Sequence, residues 1–522
     1  MSERSHDHDR RSHVSRQTAP GEPAWPMPRE KRELLVIGNG MAASRLLDDL
    51  LQRGATDRYA IKVFGEESGG AYNRVQLSKV LAGEESQAIM MKPSAWYAER
   101  GVEFISGVAV THLDTGAHLV HSDDRRAHHY DLAVLATGSG PFIPPIAGID
   151  GPDGRWKPGV FAYRTLDDCL GIRSFAHSGD NAMVLGGGLL GLEAAKALSD
   201  QGLHVTVIHQ APNLMNVQLD DHGSGLLRRQ IERCGIFVRT GRSITEIRGT
   251  GRVEAVVLDD GTFLSARMLV LACGIRPRIE VARNSGIPVN RGILVNDTLA
   301  TQVPGVYAVG ECAEHAGKIY GIVTPIFEQA TVLADVITGA RPRARYRGSK
   351  LYTRLKVAGI EVAAMGLSEP TMDSDEVIQV IEDRKSSYRK LIVRDGRLVG
   401  AVLVGDVEAA ANLVQLFDRG DPLPANRLDA LCSPEAGAGD LGADDRTICN
   451  CNKVSQSAIV ESIKGGNGSM EKLATSTKAG TGCGSCKGLL AQLIFRHGAN
   501  AEKAESPARN GTPKVVASAN GV

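Results

Sequence analysis

Apolar positions along this chain follow two alternating periods. In RELLVIGNGMAASRLLDDLLQRG, Leu34 to Ile37 form an unbroken apolar run of strand type. Apolar residues then recur at helical spacing through Leu51. The next run, YAIKVFG, ends at Gly65 and again reads as a strand. NAMVLGGGLLGLEAAKALSDQG repeats the design: Met183 to Leu185 predict a strand, and Glu193 to Leu198 continue a helix. HVTVIHQ supplies the strand after it. Further on, YRKLIVRDGRLVGAVLVG alternates around Asp395-Gly396, which predicts a hairpin in a small mixed sheet. The expected class is α/β with two Rossmann-like units, a small α+β domain and a helical C-terminal module.

The punctuation between these runs carries chemistry. Gly38, Gly40 and Ala43 fill a G-x-G-x-x-[G/A] frame between strand and helix. The first glycine permits the tight turn, the second lets backbone approach a pyrophosphate, and the small third residue lets the helix pack close to the strand. Gly186, Gly188 and Gly191 fill a second such frame. One frame alone recurs in tight turns without ligands. Two, each with its strand and helix, predict two dinucleotides and electron transfer between them, with a nicotinamide donor and a flavin acceptor.

Specificity signals are mixed. Glu66 and Glu67 follow the YAIKVFG strand, and either could accept hydrogen bonds from a ribose. The matching strand of the second unit ends in His209 and Gln210, with no acid to select NADH and no arginine close behind to hold a 2′-phosphate. NADH is slightly favoured. Gly274 is counted among the cofactor-binding glycines.

Composition adds bounds. With 522 residues, two to four domains are expected. Sixty basic residues balance sixty acidic ones, so no global field points to nucleic acid or to an anionic membrane. No apolar run approaches the ~18 residues of a spanning helix. Residues 1–30 and 498–522 read as tails without a secretion signal. Five cysteines, Cys169, Cys234, Cys273, Cys312 and Cys432, are scattered singly, as in small buried hydrophobes of a reducing compartment, the cytoplasm. The other four, Cys449, Cys451, Cys483 and Cys486, form Cys-x-Cys and Cys-x-x-Cys pairs. Four thiolates suit zinc or a [2Fe–2S] cluster. Ser455 can cap a helix between the pairs, Gly465-Gly466 can end it, and a further helix, KGLLAQLIFR, follows Cys486.

Further segments carry a family resemblance. YDLAVLATGSGPFIPPIAG contains Thr137 and Gly138, and TLATQVPGVYAVGECAEH contains Gly310 and Glu311 after the strand Val306 to Val309. With the first glycine loop they resemble the three FAD-contacting segments of the two-dinucleotide flavoprotein family. The resemblance implies that Glu311 binds the ribityl chain. Disulfide reductases of that family carry reactive cysteine soon after the ribose acid, but GEESGGAYNRVQLSKVLAGE has none. This stretch instead resembles bacterial NAD(P)H nitrite reductase large subunits and assimilatory nitrate reductase electron-transfer subunits. By that resemblance Asn73 and Arg74 approach FAD, Lys79 sits near the isoalloxazine and pairs with Glu193, and GIVTPIFEQA packs by the ring. CNCNKVS and TGCGSC resemble the bacterioferritin-associated-ferredoxin-like [2Fe–2S] module.

The implied layout places FAD-binding segments at 31–145 and 271–340, an inserted NAD(P) unit at 146–270 and an α/β interface domain at 345–432. A linker follows at 433–445, then the cluster module at 446–497. The implied function is NAD(P)H oxidation with electrons passed through FAD and the cluster to a nitrate or nitrite reductase component. No sirohaem or molybdenum domain is recognisable in the chain, so that component, such as a molybdenum nitrate reductase subunit, is expected on another polypeptide. Homodimer contacts through the interface domain are also expected. Two other readings stand: a reductase for a separate ferredoxin or rubredoxin, and a cluster-based redox or iron sensor.

Overall fold

The computed structural model describes residues 31–498 except 152, 358, 433–446, 483 and 485. The expected tails and linker lie outside the described residues, apart from Gly498, which ends the last helix. Two five-stranded sheets share one plan. In the first, the order is Val306–Ala308, Leu132–Leu135, Arg32–Ile37, Tyr59–Gly65 and Val102–Ser106, all parallel. In the second it is Val160–Ala162, Met268–Leu271, Asn181–Leu185, His204–His209 and Phe237–Thr240, again all parallel. Parallel strands covered on both faces need continuous apolar runs, which is why Leu34 to Ile37 and Ala182 to Leu185 are wholly buried. The second sheet is inserted between the fourth and fifth pieces of the first, because Val306–Ala308 returns to pair with Leu132–Leu135.

Each central strand feeds a helix through its glycine frame: Met41–Gln52 after the first and Leu189–Asp200 after the second. The turns demand glycine for a measurable reason. Gly38 has φ +108°, and a Cβ there would lie 2.2 Å from the Ala136 carbonyl oxygen. Gly186 has φ +127°, and its Cβ would lie 2.2 Å from the Ala272 oxygen. The two loops are therefore copies in backbone as well as in sequence.

A third sheet, expected to be mixed, is wholly antiparallel, in the order Tyr352–Val357, Ile360–Gly366, Arg397–Val404, Ser387–Arg394 and Glu376–Glu382. Arg394 pairs with Arg397 across Asp395-Gly396, both with positive φ. The amphipathic helix Ala410–Arg419 covers one face. The other face meets the second unit through a buried ion pair, Lys390 Nζ to Asp220 Oδ2 at 2.9 Å. Asp220 also caps the helix Asp221–Arg233 by accepting from Gly223 N at 2.9 Å.

The last three helices, Gln456–Lys464, Met470–Thr477 and Lys487–Gly498, form the cysteine module. Ser455 caps the first by accepting from Ala458 N. The module's apolar core is continuous with Val323, Ile326 and Phe327 of the helix Val323–Thr338.

Candidate flavin cleft and thiol site

One cleft of about 500 Å3 opens above the C-terminal ends of the first sheet, within the range of cofactor pockets. Gly38, Gly40, Glu66, Glu67, Arg74, Thr137, Gly138 and Glu311 all line it. A Cβ on Gly40 or Gly138 would meet no atom within 4 Å and would project into that space. The cradle thus has room for an extended dinucleotide with its pyrophosphate at the N-terminus of Met41–Gln52. Ala43 is fully buried beneath the loop, where its small side chain lets helix and strand approach. Gly310 donates its N–H to Gln329 Oε1 at 2.9 Å and orients Glu311.

The cleft's polar wall is an interlocked ion network. Glu67 takes the Tyr72 hydroxyl at 2.6 Å and Arg74 Nη2 at 2.7 Å. Burial alone would raise the Glu67 carboxyl, but Arg74 and Tyr72 hold it below the usual range. Arg74 also donates to the Arg164 carbonyl. Arg164 in turn pairs with Glu311 and donates to Ser139 Oγ at 2.8 Å. Burial lowers the Arg164 guanidinium, and Glu311 opposes that. Glu66 is exposed at the strand end and pairs with Arg278. Both Glu67 oxygens are already engaged within the network, whereas Glu66 has a single, half-exposed partner at the rim.

Arg164, Arg278, Ser139 and Tyr72 were missed by sequence reasoning. Arg164 shows its role only in the structure. It follows an apolar strand and is almost fully buried, and a buried guanidinium requires an acidic partner. Nothing local links Arg278 to Glu66, which lie 212 positions apart.

The second unit reaches the same cleft through Leu189, Leu190 and Glu193 at the start of its helix. Gly188 mirrors Gly40, with no atom within 4 Å of its Cβ position. A Cβ on Gly191 would lie 2.0 Å from the Gly186 oxygen, so helix and loop touch there. Gly274, at φ +113°, follows the Met268–Leu271 strand and accepts from Phe142 N at 2.9 Å. A Cβ on Gly187 would overlap the His209 ring at 2.7 Å, so His209 packs directly on the glycine loop. Burial lowers its pKa against hydrogen bonds with Asn216 and the Asn213 backbone, which favours the uncharged ring beside the loop.

Burial pushes the Glu193 carboxyl up to about 7, with Ser78 pulling the other way through a hydrogen bond. A raised carboxyl supports the fold most at low pH, and that support is lost as pH rises through its folded value. Glu193→Gln should therefore gain stability relative to the native chain between about pH 5 and pH 8, by about 2 kcal/mol. Thermal melts across that range check this; parallel curves for the two proteins would mean Glu193 is ionised throughout.

Two placements correct the expectations. Lys79 does not pair with Glu193. It sits on the short helix Leu77–Leu81, half exposed, with Glu84 Oε2 at 3.8 Å, and it does not line the cleft. The turn of that helix presents Ser78 to Glu193 instead. Asn73 does not line the cleft either. It is 2% exposed and donates to the carbonyls of Thr481 and Gly482 at 3.0 and 2.9 Å, in the cysteine module. A neighbouring position in sequence, Arg74, does face the cleft, because the chain turns between them.

Three of the four clustered thiols are described and buried together; Cys483 lies outside the described residues. Cys449 and Cys451 Sγ are 3.7 Å apart. Hydrogen bonding with the Cys451 and Cys486 thiols holds the Cys449 thiol far below its usual range, against burial, with help from the backbone at Gly480 and Asn452. A Cβ on Gly482 would lie 2.7 Å from Cys451 Sγ, so the loop leaves that sulfur its space. Sulfur-only donors with backbone and Asn452 N–H groups around them fit an anionic iron–sulfur group.

Two matching dinucleotide units on one cleft, with a thiol module against its wall, define a two-dinucleotide oxidoreductase. The chain belongs to the pyridine nucleotide-disulphide oxidoreductase family, which it matches over residues 32–334. Residues 352–420 match the rubredoxin NAD+ reductase C-terminal domain, and residues 447–496 the BFD-like [2Fe-2S] binding domain. The chain is 40% identical to a nitrite reductase [NAD(P)H] of Bacillus subtilis, over 89% of this chain and 57% of that protein. It is 36% identical to the assimilatory nitrate reductase electron transfer subunit of the same organism, over 91% and 60%. It therefore spans little more than half the length of these relatives. Among solved structures, a ferredoxin reductase from Rhodopseudomonas palustris matches with a TM-score of 0.65 at 26% identity, over 74% of this chain and 93% of that one. A putidaredoxin reductase–putidaredoxin complex gives 0.70 at 24%, over 78% and 98%, and shows the fold. The chain is thus a flavoprotein-type pyridine nucleotide oxidoreductase joined to a BFD-like [2Fe-2S] binding domain. Among the described residues no helix is long and apolar enough to cross a membrane.

Proposed function

We propose that this chain oxidises NAD(P)H, NADH in preference, and delivers the electrons singly to a nitrate or nitrite reductase component, such as a molybdenum catalytic subunit. The observation that carries this reading is the shared cleft: Glu193 of the second glycine unit lines the same space as Gly38 and Gly40 of the first. A nicotinamide held by the second unit can therefore reach a flavin held by the first. When bound, FAD supplies a hydride acceptor and the cluster supplies one-electron storage.

The chain's own residues position and shield. The N-terminus of Met41–Gln52 neutralises pyrophosphate charge. Glu66 is the ribose acceptor, since Glu67 is held by Tyr72 and Arg74. Arg164 fixes Glu311 toward the ribityl chain. Ile322, Val323 and Leu190 supply apolar surface that excludes water. Cys169 and Cys312 are buried without a disulfide, which suits a reducing cytoplasm.

An anaerobic NADH titration, followed by absorbance and EPR with iron and acid-labile sulfide analysis, tests this. Flavin bleaching with a reduced [2Fe–2S] signal supports the reading, whereas zinc in place of iron leaves a simple flavoprotein. The match to the rubredoxin reductase domain favours a second reading, in which a separate rubredoxin or ferredoxin is the acceptor. Acceptor assays with nitrate reductase, rubredoxin and ferredoxin separate the two.

A further inference from the structure

The flavin cleft and the thiol site share a wall. Met41, Ala42, Val323 and Ile326 line the cleft, and the same four residues pack in the apolar cluster that contains Cys449, Cys451 and Cys486. No solvent layer is needed between the two sites, and one turn of the helix Val323–Thr338 spans them. Phe327 of that turn would lie 3.1 Å from a Cβ on Gly482.

Polar contacts pin the module to this wall from several directions. Arg45 Nη1 donates to Asn452 Oδ1 at 2.8 Å while its Nε holds Asp49 Oδ2 at 2.8 Å. Lys453 pairs with Glu328 at 3.0 Å and Lys478 with Asp48 at 3.6 Å. These last two pairs are exposed on the lysine side and contribute little by themselves. Asn73 differs. It is buried, and its backbone N–H is fixed on Ile89 O at 2.8 Å. Its Oδ1 accepts from Val75 N at 3.1 Å, which sets the orientation of the amide. Both remaining donors then point to the Thr481 and Gly482 carbonyls, immediately before Cys483 in sequence. The next residue, Arg74, lies in the flavin cleft. Adjacent residues thus grip the two redox sites.

Resting on the function proposed above, we propose that Asn73 is the positioning residue that holds the cysteine loop at one fixed place beside the flavin cleft, so that electrons cross within a docked unit and not by movement of the terminal module. The balance is simple. Each NAD(P)H gives up a hydride to become NAD(P)+. Two successive one-electron transfers through the module reduce two equivalents of a one-electron acceptor protein, and one proton is released to water. A fixed wall suits this, because the same short crossing serves both electrons.

The experiment is rapid mixing of the full chain with NADH under anaerobic conditions, following flavin bleaching and cluster reduction separately. In the native protein, the step from flavin to cluster should be insensitive to glycerol viscosity and to salt. A rate that falls in proportion to viscosity means that the module moves, and overturns the proposal. Asn73→Asp keeps the acceptor for Val75 N but loses both donors. It should slow cluster reduction at least tenfold more than it slows flavin bleaching. Equal slowing of both steps, or of neither, assigns Asn73 a purely structural role and also overturns the proposal. If native protein bleaches its flavin but its intact cluster is never reduced, the function proposed above fails, and that outcome is distinct from the other two.

Discussion

Cys451→Ser should cripple electron delivery to one-electron acceptor proteins while leaving the flavin reducible by NADH. Cys451 is buried, lies 3.7 Å from Cys449, and packs in the core joined to Val323, Ile326 and Phe327. A serine hydroxyl is a poor replacement for a thiolate on iron, and it leaves a buried polar atom in an apolar cluster. Loss of the cluster should lower acceptor reduction on the order of 100-fold, whereas flavin reduction by NADH, which uses no thiol, changes little. Iron and sulfide should fall together, and the EPR signal should vanish. Acceptor reduction at the native rate without iron would place the exit of electrons at the flavin and make the module structural. Because the metal-binding free energy is also folding free energy, residues 447–496 should become protease-sensitive in the variant, a readout independent of turnover.

The twin glycine loops make the second large prediction. At Gly38 an alanine Cβ would sit 2.2 Å from a backbone oxygen, at a φ that L side chains rarely adopt. Backbone cannot yield as a flexible side chain can. Strain of ~1–3 kcal/mol corresponds to about tenfold to hundredfold in affinity, before the overlap itself is counted. Gly38→Ala should therefore purify without FAD. Gly186→Ala suffers the same 2.2 Å overlap, but with the Ala272 oxygen. It should keep its FAD, resist reduction by NADH and still be bleached by dithionite. The pair of variants separates the two sites with one chemical change. If Gly186→Ala also lost FAD, the two units would not be independent binding sites. Flavin content by absorbance and NADH affinity by fluorescence quenching read the outcome.

The candidate site was legible where local backbone chemistry dictates it. A glycine turn that only glycine can occupy writes itself into the sequence, and so do an apolar strand before it and a helix after it. The paired cysteines were legible for the same reason: residues that share one site through a short loop stand at short spacing, as Cys449 and Cys451 do. The ion network was not. Arg164 meets Glu311 across 147 positions and Arg278 meets Glu66 across 212. No local rule encodes such pairs; they depend on how the two sheets return to each other. Lys79 and Asn73 show the same limit from the other side. Resemblance placed both at the flavin, yet one turn of a short helix sends Lys79 toward Glu84 and a 3₁₀ turn over Arg74–Gln76 sends Asn73 into the cysteine module.

By itself, then, the sequence determined the two dinucleotide units, the hairpin at Asp395-Gly396 and the cysteine pairs, because each rests on periodicity, glycine geometry or residue spacing within a few dozen residues. Only the tertiary structure decided how these pieces meet. It put Glu193 in the flavin cleft under a burial that raises its carboxyl to about 7, and it set the cysteines against Val323 and Ile326. The physical reason is that desolvation and long-range ion pairing are properties of the assembled surface. They exist only once distant segments have excluded water from one another.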